Sequence, residues 1–302
     1  MPIIGIILFI YLIIKIDLVT ILLEIKNANK FFLFLAFIMV IVMFCTETFK
    51  WFFIALFQGV KLPFLEAMKI NLISNFYGFV TPSKLGTVIR AEYLKKYTKS
   101  FGKGFFNFTI DKVMDLLSVT FVAIVFSFIF KDKLNIPIGV FFMFFLILIL
   151  GTLFFIKKER SKRFLGFFYK KFIPKKLKSE AKMAFDSFYD HVPKIRYFPL
   201  FFVFNLLNWI VIYLVSYFIG LSLGINLSFI FYLGILPLGT LVTLIPISIN
   251  GLGTREVTLI SLFALFGIGS AKVFSMSIIS LFFGGILPAI IGGILIIKFK
   301  NN

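Results

Sequence analysis

Long apolar runs joined by short polar segments organise this chain. Residues 2–23 form a first run, marred by Lys15 and Asp17, and a second extends from Phe31 to Phe57 with Glu47 and Lys50 three apart on one helical face. Further runs occupy about 108–130, 136–156, 198–220 and 227–248, followed by an apolar piece at 255–268 and a last run at 272–297. Several are near or above the ~20 residues that a membrane-crossing helix needs. A transmembrane barrel would show short alternating segments instead. The pattern predicts an all-α, polytopic transmembrane helical bundle of about 7–8 spans, forming a single integral membrane domain over residues 1–302. The N-terminal run has no basic leader and no small-residue cleavage site, so it is expected to be a first membrane helix.

Two stretches depart from the pattern. KLPFLEAMKINLISNFYGFVTPSKLGTVIRAEYLKK, 61–96, is half polar and broken by Pro63, Gly78, Pro82 and Gly86. It is too polar for a lipid-facing span and too apolar for an ordinary loop, which predicts a re-entrant or broken helix inside the bundle. The other is NGLGTREV, 250–257: no Asp, Glu, Lys or Arg occurs from Tyr197 to Thr254, and then Arg255 and Glu256 arrive together, after Pro246, Asn250, Gly251 and Gly253. A weak internal echo links the two, since Pro82, Gly86, Arg90 and Glu92 resemble Pro246, Gly253, Arg255 and Glu256. Broken segments at matching places in two halves point to a transporter binding site.

Composition strengthens the membrane assignment. The chain is 60% hydrophobic and 15% charged, with a mean hydropathy of +1.05, too little polar surface to cover a soluble domain. Its net charge of +19 would suggest nucleic acid in another setting. Here the excess is concentrated in segment 157–197, with thirteen Lys and Arg against four acids. Basic segments beside membrane helices set topology and meet anionic lipid, so no nucleic-acid partner is expected. The segment and the C-terminus are placed on the cytoplasmic side of the cell membrane, together with 95–103, and uncharged 221–228 on the other side. Leu177, Ala181, Phe185, Phe188 and Val192 recur at helical spacing, predicting an amphipathic helix on the inner leaflet. A lone Cys45 and a lone His191 give no disulfide framework, and no metal or cofactor is expected.

Of five arginines, Arg90 and Arg255 sit in the broken segments. A charge at a membrane helix centre costs at least about 2.5–3.5 kcal/mol unless paired or hydrated. Either they pair with Glu92 and Glu256 or snorkel to an interface, or each guanidinium faces a cavity and grips a phosphate in its planar fork. Asp111 and Asp115, four apart with Lys112 beside them, are helix-start charges, partners for an arginine, or proton carriers. Glu47 with Lys50 and Glu66 with Lys69 are expected to be neutralising pairs. No zinc-protease spacing, GxSxG elbow, P-loop or aspartate-rich nucleotide motif is present, and no enzymatic activity is expected.

These motifs carry a family likeness. NFYGFVTPSKLGTVIRAEYLKK (75–96), IDKVMDLLS (110–118) and PISINGLGTREVTLISLFALFGI (246–268) together resemble the lysylphosphatidylglycerol synthase transmembrane-region family, over nearly the whole chain and in the right order. The resemblance implies movement of a polar or charged lipid between leaflets, through a cavity lined by the broken helices. Carried over by motif are Pro82, Gly86, Arg90, Asp115, Pro246, Gly251, Gly253, Arg255 and Glu256; Asn75, Lys84, Glu92, Asp111, Lys112 and Asn250 complete the expected lipid-binding set. The chain departs from the family pattern at Leu85–Gly86, preceded by Lys84, where two glycines usually stand before the first arginine, and at Asp111–Lys112, in place of Glu-Arg. Lysine transfer belongs, in that family, to a cytosolic synthase domain after the membrane part. This chain ends at Asn302, directly after its last span, so synthase activity is not expected. The expected partners are membrane lipids, anionic or phosphate-bearing. Two rival readings are a non-transporting accessory subunit of a glycosyltransferase or lipid-modifying enzyme, and a membrane-embedded transferase.

Overall fold

The computed structural model describes residues 2–134, 138–174, 178–190, 192–243, 248 and 251–300, and the regular structure among them is entirely helical. The first apolar run is two helices, α1 (Pro2–Ile16) and α2 (Leu18–Lys26), bent by 79°. Asp17 makes the corner: it takes φ 75° and its carboxylate accepts from the Thr20 N–H at 3.2 Å, capping α2 where an unbroken span was predicted.

α3 (Lys30–Phe57) is a full span. After it come α4 (Phe64–Phe79), a 3₁₀ stretch over Pro82–Ile89, α5 (Arg90–Thr98) and the long α6 (Phe101–Ile129). A short α7 (Lys131–Leu134) leads to α8 (Ile138–Phe155), which packs on α6 and buries none of its residues, a face left for lipid. The basic segment forms two helices where one was predicted, α9 (Lys158–Phe172) and α10 (Lys178–Phe188). Lys158 and Asp186 join them at 2.7 Å, and that hydrogen bond holds the Asp186 carboxyl below its usual range. Ala181, Phe185 and Phe188 of the predicted amphipathic face lie on α10, whereas Val192 falls beyond its end and Leu177 and His191 lie outside the described residues. The remaining helices are α11 (Phe198–Ser222), α12 (Phe229–Thr243), α13 (Thr254–Ala264), α14 (Ser270–Leu281) and α15 (Leu287–Lys300), the last two joined by a π-helical turn at Phe282–Ile286.

Helices α3 and α11 run antiparallel. Asn29 N donates to Ser222 O at 2.8 Å at one end, and the Phe57 ring meets Tyr197 at 4.3 Å at the other. That second end also holds α10, through Phe106 and Phe188 at 5.0 Å, and is called here the basic end. Five helices among the described residues are long and apolar enough to cross a membrane, six if α1–α2 count as one.

The two broken stretches are hairpins that enter from opposite ends. α4 starts at the basic end, where Phe64 meets Phe52 at 5.5 Å. α5 returns there, with Leu94 and Tyr97 packed among Trp51, Ala55, Val60 and Leu62. α12 and α13 do the reverse. Their open end lies away from the basic helices, closed by Phe231–Phe266 at 5.0 Å and Tyr232–Phe263 at 5.4 Å. At 15 and 11 residues they span only about 22 and 16 Å, so α12 and α13 are arms of one re-entrant hairpin and not separate crossings. α15 then runs back beside α4, with Gly292 seated on Leu72 and Gly285 on Phe79, and brings the C-terminal end of the chain to the basic end.

Candidate functional site

The innermost charges form one buried network. Lys50, 3% exposed, reaches Asp111 at 3.0 Å, Asp115 at 2.6 Å and the Asn205 amide oxygen at 3.1 Å. Asp111 bridges onward to Arg90 Nη2 at 2.8 Å. The Arg90 guanidinium lies over the Trp51 ring, 4.7 Å from its centroid. Trp51 Nε1 donates to Asn71, and the amides of Asn71 and Asn75 both donate to Glu47 at 3.2 Å. Removing one member of such a set strands a charge in a low-dielectric interior, which is costly. The expected Glu47–Lys50 pair is therefore corrected: each residue bonds to groups on other helices. Glu66 and Lys69 do pair, at 2.6 Å.

The tip of the α12–α13 hairpin is built on glycines. Gly251 and Gly253 hold φ of 79° and 80°, values that carry a steric cost for any residue with a Cβ. Gly253 also admits α1, because a Cβ there would strike Gly5 O, Leu8 and Phe9. Glu256 turns back to accept the Gly253 N–H at 2.6 Å, half of a capping box, and also accepts from Ser277 Oγ at 2.6 Å. Arg255 Nη2 donates to Ser277 Oγ at 2.7 Å, and its Nε stands 3.6 Å from Glu256. The guanidinium side chain is 24% exposed, and its Nη1 makes no hydrogen bond among the described residues.

The opposing tip is held by side chain to backbone bonds. Thr81 Oγ1 donates to Tyr77 O and accepts from Gly86 N at 2.7 Å. A Cβ on Gly86 would collide with the Tyr77 carbonyl, so the tip closes only with glycine there. Lys84 carries φ 54°, a left-handed conformation unusual for lysine. Its side chain is exposed, and the charges close enough to act on it are Glu47, Lys112, Arg255 and Asp115, from α3, α6 and α13. The Lys84 ammonium makes no ion pair among the described residues. The two tips thus bring Lys84 and Arg255 within electrostatic reach of each other and of Lys112, which is 39% exposed; the space between the tips is called the recess.

The sequence-derived set divides on this geometry. Lys84, Lys112, Asp115 and Arg255 gather around the recess, Glu256 is buried beside Arg255, and Gly86, Gly251 and Gly253 shape the tips. Pro82 opens the 3₁₀ stretch and Asn75 holds Glu47. Arg90 and Asp111 are both buried and are bonded to each other. Glu92 is not Arg90's partner: it pairs with Lys95 at 3.3 Å on an exposed surface. Pro246 and Asn250 lie outside the described residues. Sequence reasoning missed Lys50 as the centre of the network and Ser277 as the anchor of both Arg255 and Glu256. For Lys50 the signal was a charge deep in an apolar helix; a serine on α14 gave none.

The architecture defines a class: a polytopic helical membrane protein with two opposed re-entrant hairpins meeting at a charged recess. The lysylphosphatidylglycerol synthase TM region family model matches residues 2–292, and the chain belongs to that family. It is 33% identical to the UPF0104 membrane protein MJ1078 of Methanocaldococcus jannaschii over 213 residues, covering 68% of this chain and 86% of that one. It is 24% identical to the UPF0104 membrane protein PH1989 of Pyrococcus horikoshii over 263 residues, 80% of this chain and 78% of the other.

Proposed function

We propose that this protein carries a phosphate-bearing lipid headgroup between leaflets through the recess where the two hairpin tips meet, as a transporter and not as an enzyme acting on the lipid. One observation carries the reading: hairpins from opposite ends of the bundle present Arg255 and Lys84 to the same recess, each with donor capacity that no group among the described residues uses. Arg255 supplies a fork for phosphate oxygens, its orientation fixed by Ser277 and Glu256. Lys84 and Lys112 supply point charges from the other wall, and Asp115 balances them. The network of Lys50, Asp111 and Arg90 holds the α5, α6 and α3 walls in register. The basic segment and the C-terminus face the cytoplasm of the cell, where α9 and α10 meet anionic lipid.

The test is headgroup-labelled anionic lipid in proteoliposomes, quenched from outside. Wild type should move label across the bilayer, and Arg255→Gln should slow it about tenfold or more, the loss of one charge-assisted pair. Equal rates for the two at matched thermal stability would sink the assignment.

A further inference from the structure

The end of α11 remote from the basic helices holds a cavity of about 440 Å³ that lipid movement through the recess does not use. Glu24 and Asn27 line it from the end of α2, Asn29 from the turn into α3, Gly224 and Asn226 from the loop after α11, and Lys272 from the first turn of α14. Neither the Glu24 carboxylate nor the Lys272 ammonium has a hydrogen bond or ion pair among the described residues, and they do not pair with each other. Three nearby carbonyls at the end of α11 are already engaged. Gly220 O accepts from Ile225 N at 2.9 Å, Leu221 O from Gly224 N at 3.1 Å and Ser222 O from Asn29 N at 2.8 Å. Gly224, at φ 70°, leaves the space the ammonium fills: a Cβ there would lie 3.2 Å from Lys272 Nζ.

Both charges are partly buried. Partly desolvated charges held apart on separate helices, with amides around them, complement a molecule that carries an anion and an ammonium a few atoms apart. An anion alone would satisfy Lys272 and be repelled by Glu24, and a cation alone would meet the reverse. We propose that this cavity binds a zwitterionic phosphate–amine headgroup, with its phosphate at Lys272 and its ammonium at Glu24. Asn29 Oδ1 already accepts from Phe31 N, which leaves its NH₂ to donate to a phosphate oxygen. The site is distinct from the recess but shares α14 with it, Lys272 standing five residues, or about 7.5 Å, from Ser277. It does not depend on lipid translocation.

The probes are glycerophosphoethanolamine, glycerophosphate and ethanolamine, titrated calorimetrically into the purified full chain in nanodiscs. In the Arg255→Gln background, which removes the phosphate fork of the recess, glycerophosphoethanolamine should bind saturably, and glycerophosphate and ethanolamine more weakly. Glu24→Gln and Lys272→Gln should each weaken it about tenfold or more while melting as wild type does. Nanodiscs containing a phosphoethanolamine lipid separate the two sources of this chemistry. Loss of free-ligand binding in them supports a site filled from the lipid, and unchanged binding supports a soluble ligand. Glycerophosphate binding as tightly as the zwitterion, indifference to both substitutions, or no saturable binding by the folded protein would overturn the proposal.

Discussion

Lys84 stands where glycine would sit without strain. A left-handed φ costs an L-residue roughly 1–2 kcal/mol, and nothing in the local hydrogen bonding requires a lysine side chain there: Thr87 takes the Lys84 carbonyl, and glycine offers the same carbonyl. Strain kept at one residue is a reason to look for a role. Lys84→Gly should therefore raise stability by about 1 kcal/mol in detergent melts while slowing lipid transfer. A stabilised variant with undiminished transfer would show that Lys84 takes no part. The residue scale is also where the sequence was least legible. Helical spacing identifies neighbours on the same helix, so Lys50 looked like the partner of Glu47. Its actual partners, Asp111, Asp115 and Asn205, are brought to it by packing of α6 and α11 against α3. Arg90's partner was misread for the same reason: Glu92 was near in sequence, whereas packing brings Asp111 and Trp51 to the guanidinium.

Among the elements, the breaks were legible and their directions only partly so. Pro82, Gly86, Gly251 and Gly253 announced two interrupted helices, because glycine and proline mark where a ladder of backbone bonds stops. Whether an arm turns back or continues depends on which aromatic rings close its open end, such as Tyr232 with Phe263, and those pairings are non-local. The Asp17 corner was visible only as a blemish in a long run. Its effect is to lay α1 against the tip at Gly253, with Gly5 in turn fitted against Ser248 and Leu252. Gly253→Ala should cost roughly 1–2 kcal/mol from its dihedral alone and more from its collision with α1. Proteolysis or hydrogen exchange should report the loosening first in α1 and the 251–256 turn. Uniform protection in the variant would mean that α1 does not brace the tip.

For the molecule as a whole, the opposed hairpins make a topological prediction. On a Cys45→Ser background, single cysteines at Lys61 and Lys96 should react with an impermeant thiol reagent from one side of the membrane, and those at Ser228 and Ser270 from the other. Were each hairpin instead one complete crossing, the members of each pair would label from opposite sides. The distinction has an electrical corollary. A continuous span spreads the membrane potential over the full hydrocarbon thickness, whereas two invaginated arms leave only a thin septum between their tips. Where water follows the arms inward, the voltage falls mainly across that septum. Each unit of charge crossing the whole potential gains or loses ~2.3 kcal/mol per 100 mV. A charged cargo passing Lys84 and Arg255 would collect most of that energy within a few ångströms, making the tips a voltage-coupled step in an otherwise field-free path.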